Sequence, residues 1–257
     1  MTRKYVPPLC WKCKTPFPPC ACGENSEYAP PVDEVERPRL RVLVACEFSG
    51  TVRDAFLAAG HDAWSCDLLP SAVAGPHLRG DVLTYMRASK WDLMIAFPPC
   101  THLAVSGAHR FAEKRREQVD AIDFVLSLWT APIARIAIEN PIGILSTELR
   151  DPDQIIQPYE FGDDASKATC LWLKHLDRLD PLPRSEQARP RQVFDRSRGA
   201  LVYRWSNQTD SGQNKLGPSD DRWQLRASTY PGIARAMARQ WGRRDRLMRS
   251  LDFEVNA

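Results

Sequence analysis

From Leu40 onward, short apolar runs alternate with stretches whose apolar residues recur every three or four positions. LRVLVAC (40–46) is almost continuously hydrophobic, the pattern of a strand buried on both faces. GTVRDAFLAAG follows with Val52, Ala55 and Phe56 at helical spacing and Gly60 as a terminator. HDAWSCD (61–67) and WDLMIAF (91–97) read as further strands, and RFAEKRREQVDAIDFVLSLW (110–129) as the most amphipathic helix of the chain. Residues 135–138 make another short strand ending at Glu139, and ATCLWL (168–173) is one more. A last helix is predicted over 231–249, opened by Ser228-Thr229 and a proline that the first helical turn tolerates. Strands separated by helices predict an α/β fold with a doubly wound, mostly parallel sheet. Ligands of such sheets sit beyond the carboxyl ends of the strands. The chain places Cys46 to Gly50, Asp67, Pro98-Pro99-Cys100 and Glu139-Asn140-Pro141 there.

Two regions fall outside this rhythm. Residues 1–39 are rich in proline, cysteine and charge; VPPLCWKCKTPFPPCACG cannot be helical through so many prolines, and EYAPPVDEVERPR reads as an extended linker. Residues 183–222 are polar and irregular, which predicts a long surface loop or a small subdomain inserted in the 40–257 domain. No internal repeat is visible. The 257 residues, with 35 basic against 32 acidic side chains, suit one principal domain and exclude a wholly disordered chain. No apolar run approaches the roughly 18 residues of a membrane span. The opening MTRKYVPPLCWKC lacks the apolar core of a signal peptide, so an intracellular, cytoplasmic protein is expected. A net charge of +3 permits nucleic-acid binding without demanding it. Between Arg226 and Arg249 stand seven arginines and one acid, Asp245, either a solvated basic helix or a phosphate-contacting surface.

The eight cysteines divide into two groups. Cys10-x2-Cys13 followed by Cys20-x-Cys22 offers four thiolates to a tetrahedral zinc ion, which would order a segment too small for a core of its own. A structural zinc is the expectation here, a metal-free cysteine-rich tail the alternative. Trp11, Lys12 and Lys14, interleaved with these ligands, suit contact with nucleic acid or a protein partner.

Cys46, Cys66, Cys100 and Cys170 are spread through the body. Of these, Cys100 stands out, because two prolines directly after a buried strand stiffen the turn and present the next side chain at the sheet edge. A cysteine there is placed as a nucleophile if its thiolate is stabilised. Glu139 ends a strand that can converge on the same cleft. A carboxyl group beside an activated thiol suits attack on an electron-poor heteroaromatic ring, where the acid meets charge developing on a ring nitrogen.

Together these segments resemble the cytosine-5 DNA methyltransferase family, in its compact bacteriophage form, over most of residues 40–245. The resemblance implies a sheet of the S-adenosylmethionine-dependent methyltransferase type. Glu47-Phe48-Ser49-Gly50 corresponds to the turn beneath the cofactor, Asp67 with Leu68 to the site of its ribose, and Gly80-Asp81-Val82 to the adenine turn. Pro98 closes that cofactor site together with Ser228 and Thr229, which stand in for the usual Asn-Val of the closing motif. Pro99-Cys100 corresponds to the nucleophile motif, continued by Ser106-Gly107, and Glu139-Asn140 to the Glu-Asn dipeptide. The family's Gln-x-Arg-x-Arg motif has two counterparts. Gln187-Ala-Arg189-Pro-Arg191 matches literally, but Ser166-Lys167-Ala168-Thr169, opening the CLWL strand, has the better context, and Lys167 is preferred. Thr101, Arg189, Arg191 and Arg226 are the expected contacts to nucleic acid, and Thr101 stands where the family usually has Gln.

By this resemblance Cys100 attacks C6 of a flipped cytosine, and Glu139 stabilises the N3-protonated intermediate. C5 takes a methyl group from S-adenosylmethionine, and loss of the C5 proton expels the cysteine. His102 and His109, in the following loop, are read as packing or solvent residues. Amino methylation is disfavoured, because Phe97 stands before the two prolines where a polar acceptor is needed. Double-stranded DNA is the implied partner and a monomer the expected state, in a bacterium or a phage-infected host, where restriction-modification is one setting. Two alternatives stay open: the same chemistry on RNA or a free pyrimidine nucleotide, and a zinc-containing nucleic-acid-binding protein on an inactive methyltransferase fold.

Overall fold

The structure of the protein is a computed structural model that describes residues 39–105, 114–217, 219 and 222–243. Cys10, Cys13, Cys20, Cys22, Ser106, Gly107 and His109 lie outside the described residues, as does the predicted helix beyond Arg243.

β1 (Arg41–Ala45) is an interior strand of a seven-stranded sheet, with β2 (Asp62–Asp67) on one side and β4 (Leu93–Ala96) on the other, both parallel to it. β3 (His77–Arg79) lies outside β2, and β5 (Arg135–Asn140) outside β4, again in parallel. The far side is different: β7 (Thr169–Lys174) runs antiparallel between β5 and β6 (Gln154–Ile156). The strand order is therefore 3-2-1-4-5-7-6 with one reversed strand, a sheet of the S-adenosylmethionine-dependent methyltransferase type.

Side chains of β1 explain the two layers. Val42 and Val44 point to one face and Leu43 and Ala45 to the other, all fully buried, because successive strand residues alternate. On the first face α1 (Thr51–Ala58) packs against α6 (Pro231–Trp241), joining Val52 and Phe56 to Ile233, Met237 and Trp241. On the second, α2 (Val82–Ala88) and α3 (Arg115–Trp129) contribute Val82, Met86, Val125 and Leu128. Each large side chain buried in this way contributes about 1.5–3 kcal/mol.

The predicted strands and helices are present within one to three residues, except that α3 starts at Arg115 rather than 110 and α6 ends at Trp241, capped by Gly242, rather than running to 249. Three elements of the main sheet layer had no clear sequence signal: β3 and β6, at three residues each, and α2. The polar stretch 183–222 is not irregular throughout. It holds a separate antiparallel ribbon of β8 (Arg191–Asp195) and β9 (Ala200–Arg204). Its root is fastened to the segment before β7: Tyr159 stacks on Trp205 at 4.4 Å between ring centroids, and the Asn207 amide exchanges two hydrogen bonds with the Ser166 backbone. Among the described residues no helix is long and apolar enough to cross a membrane.

Candidate active site

The turn after β1 departs from ordinary strand geometry at once. Cys46 has φ 58° and Gly50 φ 77°, both left-handed, and a non-glycine residue in that region marks a constrained turn. The buried Glu47 carboxylate accepts from the amides of Val52 (2.6 Å) and Arg53 (3.2 Å) at the open start of α1, and from the Ser49 hydroxyl (3.2 Å). Burial pushes its pKa up, against those donors and the Arg53 charge. Glu47 thus supports the turn by occupying the helix N-terminus, and Ser49 is drawn to it.

Asp67 ends β2, and its Oδ1 accepts from the Leu69 amide at 2.9 Å. Asp81 caps α2 through the Leu83 amide at 2.9 Å, while Val82 turns into the core and Leu68 stands 72% exposed. Between these acids lie two thiols. Burial first, then Asp67 and Asp81, push Cys66 up to about 12; burial, Asp67, Cys66 and Asp81 push Cys46 up in the same way. Asp67 and Asp81 therefore set negative charge beside the carboxyl ends of β1 and β2.

The second half of the site lies across β4 and β5. Ala96 pairs in register with Ile138, so the chain leaves both strands side by side, toward Cys100 on one and Glu139 on the other. The buried Asn140 side chain donates to the Pro98 carbonyl at 2.8 Å, latching the proline turn to the end of β5. Beyond it, the Val105 amide donates to Ile142 O (3.1 Å) and the Ile144 amide to Leu103 O (2.9 Å), pairing the two loops. Gly143 makes that approach possible, since a Cβ there would stand 2.0 Å from Leu103 O. Cys100 is half-buried. Burial and the Glu139 carboxylate push its thiol up, while Lys167 and Arg226 pull it down.

Lys167 comes from the segment before β7. Its amide donates to Gln157 Oε1 (2.9 Å) and its ammonium to the Arg226 carbonyl (2.9 Å), in α5 (Arg222–Ala227). Glu139, Lys167, Thr169, Thr229, Tyr230 and Ile233 line one small pocket, closed by Pro158. Ser228 bonds back to Gln224 O, and the Gly232 amide, in the first turn of α6, donates to Asp163 Oδ2 at 2.9 Å. The structure thus brings Cys100, Glu139, Asn140, Lys167 and Arg226 to one cleft. Arg191 is held elsewhere, paired with Asp210 at 3.0 Å and with Gln208 O, and Arg189 is exposed. Pro99 and Thr101 are exposed on either side of Cys100. Sequence reasoning missed Gln157 and Asp163; single polar residues flanking a 3-10 turn carry no periodic signal.

The residues at β1 and β2 suit a cationic sulfonium cofactor. The donor set is acidic: Asp67 Oδ2 has no hydrogen-bond partner among the described residues and could meet a diol, and the fields of Asp67 and Asp81 favour positive charge. Asn140 Oδ1 is a buried acceptor with no protein partner among the described residues. Those residues contain no group of three or more His, Cys, Asp or Glu able to hold a metal ion, and the four cysteines expected to bind zinc are not among them.

No family model and no curated protein matches the chain. Solved structures with some likeness include the Dnmt2 methyltransferase of S. pombe, 21% identical over 52% of this chain and 49% of that one, with a TM-score of 0.37. A DNMT2 mutant of Spodoptera frugiperda is 13% identical over 53% and 50%, at a TM-score of 0.33. The bifunctional kinase-methyltransferase WbdD is 12% identical over 66% and 43%, at 0.34. The chain spans about half the length of the Dnmt2 chains it matches. These slight likenesses carry no part of the functional reading, which rests on the geometry of the site.

Proposed function

We propose that the protein is an S-adenosylmethionine-dependent methyltransferase that acts on C5 of cytosine in DNA through a covalent Cys100 intermediate. One observation carries this reading: a half-buried thiol and a carboxylate stand at the carboxyl ends of neighbouring parallel strands, close enough for each charge to oppose the other. Glu47, Asp67 and Asp81 would bound the cofactor, which supplies an electrophilic methyl group when bound.

The roles of the chain's own residues follow from their surroundings. Cys100 adds to C6 of the ring as its proton leaves, and the addition places negative charge toward N3. As the thiol proton leaves, one is taken up at N3, and the Glu139 carboxylate, accepting from that N3–H, stabilises the protonated ring. Lys167 and Arg226 bring positive charge to the same cleft and favour the thiolate. Asn140 holds Pro98, and with it the Cys100 turn, against β5. Once C5 carries the methyl group, loss of its proton to water expels the Cys100 thiolate from C6, and N3 gives up its proton to return the neutral ring and, at sulfur, the thiol. A base stacked in a duplex cannot reach this cleft, so the target must be flipped out.

The test is nucleoside mass spectrometry of DNA from cells expressing the wild type and, separately, Cys100→Ser. Base-modified cytosine in the wild type alone supports the reading. No modified DNA base in either, with folded protein in both, refutes DNA as the substrate. A modified pyrimidine in RNA would then transfer the same chemistry to RNA.

A further inference from the structure

Arg53 is a cation with no exposed surface, on the first turn of α1. A guanidinium has five N–H donors, and here every one is spent. Nε bonds Asp54 Oδ1 (2.8 Å), Nη1 bonds the hydroxyls of Ser65 (3.2 Å) and Ser71 (3.0 Å), and Nη2 bonds the carbonyls of Val73 (3.4 Å) and Ala74 (3.2 Å). Three of the five partners belong to the loop that leaves β2 immediately after Asp67. Its one ion-pair partner among the described residues, Asp54, is about half exposed, and the Arg53 charge also acts on the buried Glu47 carboxylate.

Two glycines are shaped around this side chain. A Cβ on Gly50 would stand 2.5 Å from the guanidinium and one on Gly75 2.6 Å from it, and both backbones have positive φ. The same loop is held from a second point. His77 Nε2–H donates to Leu69 O (2.9 Å), and its Nδ1 is hydrogen-bonded to Ser65 Oγ (2.8 Å), itself an acceptor from Arg53. The Ala72 amide, in turn, donates to Phe48 O at 2.8 Å, so the loop rests on the turn after β1. Residues 68–76 and 46–50 thus meet beside Asp67, and Arg53, whose own amide donates to Glu47 while its guanidinium holds the loop, ties one to the other.

We infer that Arg53 is a positioning residue for the cofactor: by fastening the 68–76 loop to the β1–α1 turn, it fixes the crevice between Asp67 and Phe48 before the ligand arrives. This rests on the reading of that crevice as the S-adenosylmethionine site. Arg53 touches neither cofactor nor substrate. Its effect is preorganisation, which lowers the ordering cost of binding and shows in affinity rather than in the chemical step.

Two readouts on the full chain decide it: amide hydrogen exchange of the free protein, and calorimetric binding of S-adenosylmethionine. In Arg53→Met, exchange should rise in 68–76 while β1 and β4 keep their protection, and the dissociation constant should rise about tenfold or more, the scale of two or three lost hydrogen bonds. KM for S-adenosylmethionine should rise by more than kcat falls, and Arg53→Lys should recover part of the affinity. Should Arg53→Met not fold, Ser71→Ala removes one tie from the loop side and should give a smaller change of the same sign.

Unchanged exchange in 68–76, loss of protection throughout the sheet, or local loosening with unchanged affinity would each overturn the inference. A wild type that binds no S-adenosylmethionine would refute the cofactor reading and this role with it. Exchange alone would then still decide whether Arg53 holds the loop.

Discussion

At Cys100 the charges work against one another. A thiolate is the nucleophilic form, yet burial and Glu139 favour the thiol, and only Lys167 and Arg226 oppose them. The sign of each change follows. Glu139→Gln removes a negative neighbour, so the thiol pKa falls and the pH midpoint of Cys100 alkylation by iodoacetamide moves down, even as turnover is lost. Lys167→Met removes a positive neighbour and moves that midpoint up. Peptide-resolved mass spectrometry separates Cys100 from the other cysteines, and a shift of the wrong sign in either variant would break the electrostatic account. Asn140 acts by geometry instead. Asn140→Ala leaves the Pro98 carbonyl without its donor, at a cost of about 1–3 kcal/mol in stability, and should lower turnover by more than that loss explains, as a comparison of kcat with denaturant midpoint would show. The sequence marks Cys100 and Glu139 by residue type and place at a strand end. It could not mark Arg53, whose five bonds join α1 to residues up to 21 positions away and leave no trace in a local pattern.

Among the elements, the loops after β4 and β5 behave as one unit because Gly143 lets their backbones meet. Gly143→Ala should force them apart, costing about 1–3 kcal/mol and reducing turnover, since Cys100 and Glu139 flank that contact. Retained activity with retained stability would show that the loops move independently. The β8–β9 ribbon depends on its root. Trp205→Ala removes the stack on Tyr159, a pair worth about 0.5–1.5 kcal/mol beyond its buried area, and should raise hydrogen exchange in 191–204 while the main sheet keeps its protection. The ribbon was the least legible element. RQVFD and ALVYR do not alternate in polarity, and Phe194, Leu201 and Tyr203 lie on the exposed face, so the pattern lacks the polar-out, apolar-in contrast by which a strand is read. The long apolar strands, buried on both sides, were legible because tertiary burial and local composition agree there. β3 and β6, with three residues each, are too short for any period to show.

Across the whole molecule, two cores share one sheet. Phe56 links α1 to α6 on the first face of the sheet, so Phe56→Ala should cost about 3–5 kcal/mol and lower the thermal midpoint. The loss should fall on both halves of the site, because Val42 and Val44 on that face are continuous with Leu43 and Ala45 on the other. A variant that kept its midpoint would show that the α1–α6 layer contributes little to the fold. The mixed sheet also has a bearing on synthesis. β5 is hydrogen-bonded to β4, made about forty residues earlier in the chain, and to β7, which is translated only after β6. Until the ribosome has released Thr169–Lys174, the apolar run at Arg135–Asn140 is an open edge on the nascent polypeptide, a template for unwanted pairing. Chains truncated before β7 should therefore aggregate through that edge, and Glu139, opposite Leu171 in the ladder, gains its fixed place only when the late strand inserts.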